Sequence, residues 1–451
     1  MAFKLTGFRA QGAVGFTGHT SGERLQRDAV SPRPLAAEET DWAMYRYDAA
    51  RKGSFPAPLP TEPSLKWKVQ LGGPLTQAIA VAGKVYVAEK DAHRVCCLDR
   101  KSGNLLWKQT VGGRIDSSPT YTDGLLVFGC RDGHVYCLDA QTGQQVWRFR
   151  AAPQDAMIVA MDQLESLWPV HGSLVVSGEN VYCVAGRSSH LNGGMHLYRI
   201  DRKSGKVLQE KRLQADLSSS YEFEKGVLSD LMTLQDGTVH MRTLSFTEGQ
   251  LESVVHANNE GRGLYPVKGA PVLQTASGFL DTSLFNTAVW GMGSTKGQIV
   301  AHDGTSAFGL MSYRKYGQSC GHDVFTLAKD GYLLSRRALA NTEDKSKRRK
   351  GNRVEKDAKA EWSVRIPIRG EALLVGDNCL YVAGVRDRVE KEDPWGHVQG
   401  RMGGVVGLYA KSDGSKITEI PLDAAPLFDG LSAASENVFL VTERGGVLCF
   451  E

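Results

Sequence analysis

Between Ser117 and Arg150 the chain alternates apolar and polar positions in short runs, SSPTYTDG, LLVFGCRDG, HVYCLDAQTG and QQVWRFR, with a glycine turn closing each of the first three. A period of two over so few residues predicts β-strands, and the Asp-Gly and Asp-x-x-x-Gly punctuation predicts tight reversals. The unit is therefore four antiparallel strands, named A to D from first to last. It recurs. HRVCCLDRKSGNLLWKQTVGG around Trp107 parallels HVYCLDAQTGQQVWRFRAAP around Trp147, and Trp67, Trp107 and Trp147 stand 40 residues apart. The turn between C and D returns as Asp99 to Gly103, Asp139 to Gly143 and Asp201 to Gly205, where glycine takes positive φ freely and aspartate can bond its own turn.

Self-similarity at this period predicts an all-β, β-propeller architecture whose four-stranded blades surround a channel. B-type strands recur as KVYVAEK from Lys84, NVYCVAGR from Asn180, CLYVAGVR from Cys379 and NVFLVTER from Asn437. A-B-C units are expected to start near residues 75, 115, 171, 228, 281, 322, 370 and 430, which makes the propeller eight-bladed, with seven blades the alternative. The last unit ends at VLCFE without a D strand, whereas Leu65 to Leu71 (LKWKVQL) is a D strand without a blade. Pairing the two closes the ring and removes exposed edges. The propeller then spans 62–451, preceded by an extended lead-in over 41–61 and by a flexible lead-in or linker over 1–40, rich in Gly, Arg and Ala, where little packing is expected.

Composition narrows the function classes. With 41% hydrophobic and 23% charged residues and no apolar run near the length of a membrane span, the chain reads as a globular domain without a transmembrane anchor. A formal charge of +4, spread without a basic stripe, argues against nucleic acid. The densest basic stretch, Lys345 to Arg353, sits among acidic residues and reads as a solvated loop. The start shows no secretory leader pattern.

The pattern Leu-Asp-x-x-x-Gly-x-x-x-Trp at Leu98 to Trp107 and Leu138 to Trp147 resembles the tryptophan-docking repeat of pyrroloquinoline-quinone-type (PQQ-type) propellers. That family holds quinoprotein alcohol dehydrogenases and non-enzymatic relatives such as the propeller lipoprotein of the outer-membrane protein assembly machine. DWAMYRYDAARKG (Asp41 to Gly53), DQLESLWPVHGS (Asp162 to Ser173) and AGRSSHLNGGMHLY (Ala185 to Tyr198) are similar to segments of bacterial PQQ-like propellers, many of them exported. The resemblance implies a bacterial, periplasmic or otherwise extracytoplasmic setting, and a monomer or a module of a larger protein. It also raises PQQ with calcium as a cofactor, for which Glu89, Asn192 and Asp281 have suitable donor chemistry without falling on that family's motifs. The residues themselves point to no cofactor.

The eight cysteines follow the repeat. Cys97, Cys137 and Cys449 share one position (VCCLD, VYCLD, VLCFE), which the ring keeps apart, so buried reduced thiols are expected. Cys96 and Cys97 adjoin within a strand and must face opposite ways, which argues against a vicinal disulfide. No Cys-x-x-Cys, His-Glu-x-x-His, Gly-x-Ser-x-Gly or phosphate-loop motif occurs, so no metal site is expected and the common hydrolase readings lose their basis. GMGSTKG (Gly291 to Gly297) reads as a hairpin.

D-to-A connections and B-to-C turns emerge on one face, around the channel mouth, where loops can vary over fixed strands. Between Trp147 and Gly205 the spacing exceeds the 40-residue period, and the surplus sits in two mouth insertions, Ala152 to Gly172 and Arg187 to Gly194. They carry Asp162, Gln163, Glu165, Trp168, His171, Arg187, Ser188, Ser189, His190 and Asn192, with Arg114 and Glu89 on neighbouring loops. Such a set could bind a small molecule or glycan, with Trp168 stacking, Arg187 forking a carboxylate, and Glu165 or His171 moving a proton. The competing assignment pairs Arg187 with Glu165 to pin the loops. The leading expectation is a binding or scaffold module with a ligand or protein partner at this mouth. The alternative is an enzyme acting on a carbohydrate or alcohol, PQQ-dependent or built on Glu165, His171 and Arg187.

Overall fold

In the computed structural model, the described residues are 23–160, 162–215, 227–242, 244–254, 274–275, 290–292, 295–312, 328, 331–339 and 360–451. Strands are the only regular elements among them. Beside one separate hairpin, they form eight antiparallel sheets in chain order. The first runs Ile79–Val81, Lys84–Glu89, Arg94–Asp99, Leu105–Thr110, and the second Thr120–Thr122, Leu125–Gly129, His134–Asp139, Gln145–Arg150. The third runs Val175–Ser177, Asn180–Ala185, Met195–Asp201, Val207–Leu213. The seventh holds Ile368–Val375, Cys379–Arg386, Gly404–Ala410 and Lys416–Leu422.

Ring closure follows the sequence expectation. In the eighth sheet Leu65–Gln70 pairs antiparallel with the C-terminal strand Gly446–Phe450, behind Asn437–Thr442 and Pro426–Ala434. Alternation also holds, since Cys97, Cys137 and Cys449 lie directly opposite Trp107, Trp147 and Trp67. Cys96 and Cys97 face different core clusters, and the seven cysteines among the described residues are buried free thiols.

The fifth and sixth units depart from the expected starts. A sixth sheet begins at Ile299–His302, not near 322, and continues through Ser306–Ser312, Tyr332–Ala338 and Trp362–Ile366. Its predecessor includes the expected hairpin, with Met292 opposite Thr295, and only Gln298 separates Thr295–Gly297 from Ile299. The short junction places the sixth unit well before its expected start, whereas the starts expected near 370 and 430 fall within Ile368–Val375 and Pro426–Ala434. Asp281, Cys320, His322, Asp323 and the basic run at 345–353 lie outside the described residues.

One joint recurs between sheets. The D-strand indole N–H of Trp67, Trp107, Trp147 and Trp362 donates to the carbonyl of Arg100, Ala140, Arg202 and Lys411, on the C-D turn of the next sheet. Each ring lies against the glycine of that turn. A Cβ on Gly103, Gly143, Gly205 or Gly414 would come within 2.6–2.8 Å of the indole, and all four have positive φ. Glycine is thus required for both backbone conformation and close approach.

The described residues before 62 are built into the ring. Leu25–Arg27 adds a fifth strand beside Gln145–Arg150. The segment from Trp42 to Phe55 runs along the inner strands: Trp42 pairs with Ala80, the Ala43 carbonyl accepts from Tyr121, the Ala49 carbonyl from Leu234, the Lys52 carbonyl from His302, and Phe55 donates to Val375. It fills the channel with two arginines, Arg46 at 1% and Arg51 at 0% exposure. Arg46 grips Asp429 through Nη1 (2.8 and 3.0 Å) and lies 4.4 Å over the Trp290 ring. Arg51 donates to the carbonyls of Tyr45, Ser173, Leu174 and Met232.

His302 lies beside this plug, buried, with neither ring nitrogen bonded. Burial pushes its pKa down to about 4 from 6.5, with Asp48 opposing the shift and Lys52 and Arg46 reinforcing it. The unfolded chain therefore binds a proton that the folded chain refuses between those values. The stability that neutral His302 contributes is complete above about pH 6.5 and lost as pH falls toward 4, in total about 3 kcal/mol. Urea unfolding across that window should show wild type losing this amount relative to His302→Leu. A second comparison tests the joint. Gly83→Ala, at positive φ in open space, should cost about 1–2 kcal/mol, and Gly143→Ala, driven against Trp107, about 1–3 kcal/mol more.

Candidate functional site

The first insertion forms the separate hairpin, Met157–Ala160 paired with Gln163–Ser166. Register decides its faces. Ile158 opposes Glu165 on one side, and Val159 opposes Leu164 on the other. Glu165 points inward at 0% exposure, with one carboxylate oxygen 2.5 Å from Arg131 Nη1 and the other bonded to Arg187. Arg187 also donates to the carbonyls of Ser166 and Leu167, and Arg131 bonds Asp116, whose Oδ2 lies 3.3 Å from His171 Nδ1. Arg114 Nε sits 3.2 Å from Asp116 and 3.3 Å from Asp91. The network crosses from the first sheet to the third. The far end of the hairpin is tied as well, since Gln163 Oε1 lies 2.8 Å from His93 Nε2 and Gln163 Nε2 donates to Asp91.

Burial sets the protonation states. Desolvation alone would raise the Asp116 carboxyl, but the His171 hydrogen bond and the Arg131 charge outweigh it and hold the group well below the usual carboxylate range. Desolvation lowers Arg187 despite Glu165, and lowers Lys90 despite Asp116. Across the mouth, burial pushes Glu371 up to about 7, with Glu443 adding to the rise and Arg369 opposing it.

The structure therefore brings Glu165, Arg187 and His171 into one network but in unequal roles. Glu165 is sealed between guanidiniums and does not reach solvent, which contradicts its assignment as a proton carrier. Trp168 does not stack on a ligand face, because it packs in the core beside Val170 and donates its indole N–H to the Asn192 carbonyl. Ser188 accepts from the His190 N–H, and Ser189 pairs with Val227 through backbone and hydroxyl, so both fasten the second insertion. Asp162 is exposed at the hairpin turn with φ 60°. Glu89 stands apart, accepting from Gly72 N–H (2.8 Å) and Arg94 Nε (2.5 Å). Asp116 and Arg131, the hub of the network, are charged residues of a D-to-A segment and a B-to-C turn that the sequence reading placed on the rim without selecting them for the site. Their signal was positional, since both precede or follow strands that abut the enlarged unit.

The class is thus a β-propeller of tryptophan-docked sheets with a charged, loop-built mouth. The family model described as outer membrane protein assembly factor BamB matches residues 61–164 and 131–304, more than half of the chain, and the chain belongs to that PQQ-like propeller family. No sequence among the curated proteins matches it. Quinohemoprotein alcohol dehydrogenase ADHIIG from Pseudomonas putida HK5 superposes with a TM-score of 0.56 at 12% identity, over 92% of this chain and 80% of that one. A europium-containing methanol dehydrogenase does so at 0.52 and 10% identity, over 90% of each. Such identities establish the fold alone.

The fold raises PQQ with a metal, and the described donors do not fit them. Both Glu89 oxygens are engaged, Asn192 is exposed on the second insertion, and no group of three or more His, Cys, Asp or Glu is placed to hold a metal among the described residues. Trp42 to Phe55 fills the channel axis.

If Glu165 pins the mouth, Glu165→Gln leaves Arg131 and Arg187 buried without their counter-charge. Unfolding free energy should fall by about 3–5 kcal/mol, and proteolysis should begin between Met157 and Ser166.

Proposed function

We propose that this chain is a non-catalytic scaffold module that uses the blade-three mouth hairpin to hold a protein partner. The supporting observation is the two-sidedness of that hairpin. Its inner face is clamped through Glu165, while Met157, Val159 and Leu164 share the outer face at 43%, 74% and 64% exposure. Leu191, on the neighbouring insertion, is 56% exposed. Apolar side chains on a rigidly held projection, rimmed by polar loops, have the character of a binding hot spot. Pre-organisation lowers the entropy cost of association, which is what anchoring a hairpin from behind achieves. The family description, an assembly factor, is consistent with a role in holding other proteins.

The enzymatic alternative rests on the fold of the two dehydrogenases. It needs a group with access to substrate, and Glu165, fully buried between two guanidiniums, has none.

The test uses the full chain with a photo-crosslinking amino acid, p-benzoylphenylalanine, at Val159 or, as a control on the outer strand of the third sheet, at Val207. One discrete adduct should form at 159, be absent at 207 and disappear in Leu164→Asp. After identification by mass spectrometry, the purified partner should bind wild type and not Leu164→Asp. No adduct at 159, or equal adducts at both positions, would refute the assignment. Sustained dye reduction with an alcohol in the presence of PQQ and calcium would favour the enzyme.

A further inference from the structure

Arg24 shows what fits between the outer strands of neighbouring sheets. Just before the added strand Leu25–Arg27, it reaches from the second sheet to the third. Its Nε donates to the Arg150 carbonyl at 3.1 Å and its Nη2 to the Tyr198 hydroxyl at 2.7 Å, while Glu210 lies 3.7 Å from Nη1. The guanidinium stacks 5.1 and 5.6 Å from the ring centres of Phe149 and Tyr198. A cation thus sits in a seat made by Ala151, beyond the end of one sheet, and the cross-strand pair Tyr198–Glu210 of the next.

The joint between the seventh and eighth sheets repeats those positions. Counted from the bulge of each outer strand, Leu422 stands where Ala151 does, and the pair Leu448–Lys68 stands where Tyr198–Glu210 does. Here they line a cleft of about 200 Å³, together with Asp423, Ala424 and Arg444. Leu422 and Leu448, 8% and 6% exposed, make an apolar floor beneath an exposed, charged rim.

The charge of the seat is inverted. Lys68 replaces Glu210, and an aliphatic side chain replaces the Tyr198 hydroxyl. Lys68 pairs at 2.9 Å with Asp423, whose side chain is 90% exposed, and ion pairs so open to water are weak. Among the described residues, the Arg444 guanidinium has no hydrogen bond or ion pair, while Gln70 fastens the backbone beneath it by donating to the Arg444 carbonyl. Two cations against one loosely held carboxylate select an anion, and the planar fork of arginine matches a carboxylate.

The backbone decides between a free acid and an added strand. In the second sheet the Arg150 N–H donates to the Arg24 carbonyl at 2.7 Å, which ties the added strand beside its seat. Pro421 takes that position in the seventh sheet and has no N–H to give. The side-chain seat is kept, and the edge that would receive a peptide is not.

We propose that this cleft binds a small monocarboxylic acid with a short aliphatic stem, its carboxylate between Arg444 and Lys68 and its stem on Leu422 and Leu448. Binding draws Lys68 from Asp423, so Asp423 restrains the site.

Saturation-transfer NMR titration of the full chain with hexanoate tests this. Its partners are hexan-1-ol, which lacks the charge, hexylamine, which reverses it, and acetate, which lacks the stem. Hexanoate should bind, and each of the others at least about tenfold more weakly. Arg444→Gln, which breaks no contact among the described residues, should weaken hexanoate several-fold with the unfolding temperature unchanged. Ala424→Leu, which fills the cleft, should abolish binding. Asp423→Asn should strengthen it several-fold by freeing Lys68, a gain that loosening of the fold would not produce. No binding of hexanoate, equal binding of hexan-1-ol, or binding indifferent to Arg444→Gln and Ala424→Leu would overturn the assignment. None of these outcomes depends on Val159 or Leu164, so failure here and failure of the partner-binding hairpin are separately visible.

Discussion

Everything in this molecule hangs on an indole resting against a glycine. A four-stranded sheet has two faces and two edges to dispose of, and it cannot bury them alone. The tryptophan of each docking D strand reaches sideways to the next sheet, donates its N–H to a turn carbonyl and lays its ring where only a glycine leaves space. One residue thus adds apolar area, a directional bond and a steric key. The joint also carries the chain ends together. Trp67, far from the C-terminus in sequence, belongs structurally to the eighth sheet and docks on Gly103 of the first, so closure uses the same contact as the interior of the ring.

Where the tryptophan is missing, the joint changes character. The outer strand of the third sheet, Val207–Leu213, contains none, and its link to the fourth is polar: Gln209 and Lys211 donate to the carbonyls of Gln250 and Leu251, and the Lys211 ammonium lies 5.4 Å from the centre of the Phe246 ring. The N-terminal plug offsets such weaker joints from inside, since Trp42 to Phe55 bonds inner strands on opposite sides of the ring. Arginine suits that place. Its planar fork can satisfy several carbonyls at once, as Arg51 does, or clamp a carboxylate, as Arg46 does to Asp429. Burial lowers Arg51 to about 10, which still leaves it cationic at neutral pH.

The repeat was legible because its punctuation is local. Asp99 to Gly103 and Trp107 fall within a dozen residues, and strand alternation fixed the Cys97, Cys137 and Cys449 positions without any knowledge of the ring. Legibility faded where punctuation did. The turn ending at Gly414 begins at Ala410 instead of aspartate, and the sixth sheet starts one residue after the fifth's last described strand, leaving no turn signal to mark its start. The plug escaped for a different reason. DWAMYRYDAARKG has no strand period, and its arginines look like surface residues until eight sheets surround them. At the mouth, the two insertions were visible as surplus length, and the Arg187–Glu165 pair was one of two stated options. Asp116 and Arg131 were not selected, because partner choice across three sheets is a property of the ring and leaves no local pattern.

That network bears on what kind of chemistry the mouth can support. A general base must exchange protons with its surroundings near the working pH. Asp116 is held ionised by His171 and Arg131, and Glu165 is enclosed by two guanidiniums, so both carboxylates are committed to the supports of the hairpin. Buried charge of this kind is costly to assemble and costly to disturb, and its yield is a single fixed arrangement. Fixity is of little use to a proton carrier and of direct use to a surface that must meet a partner in one shape.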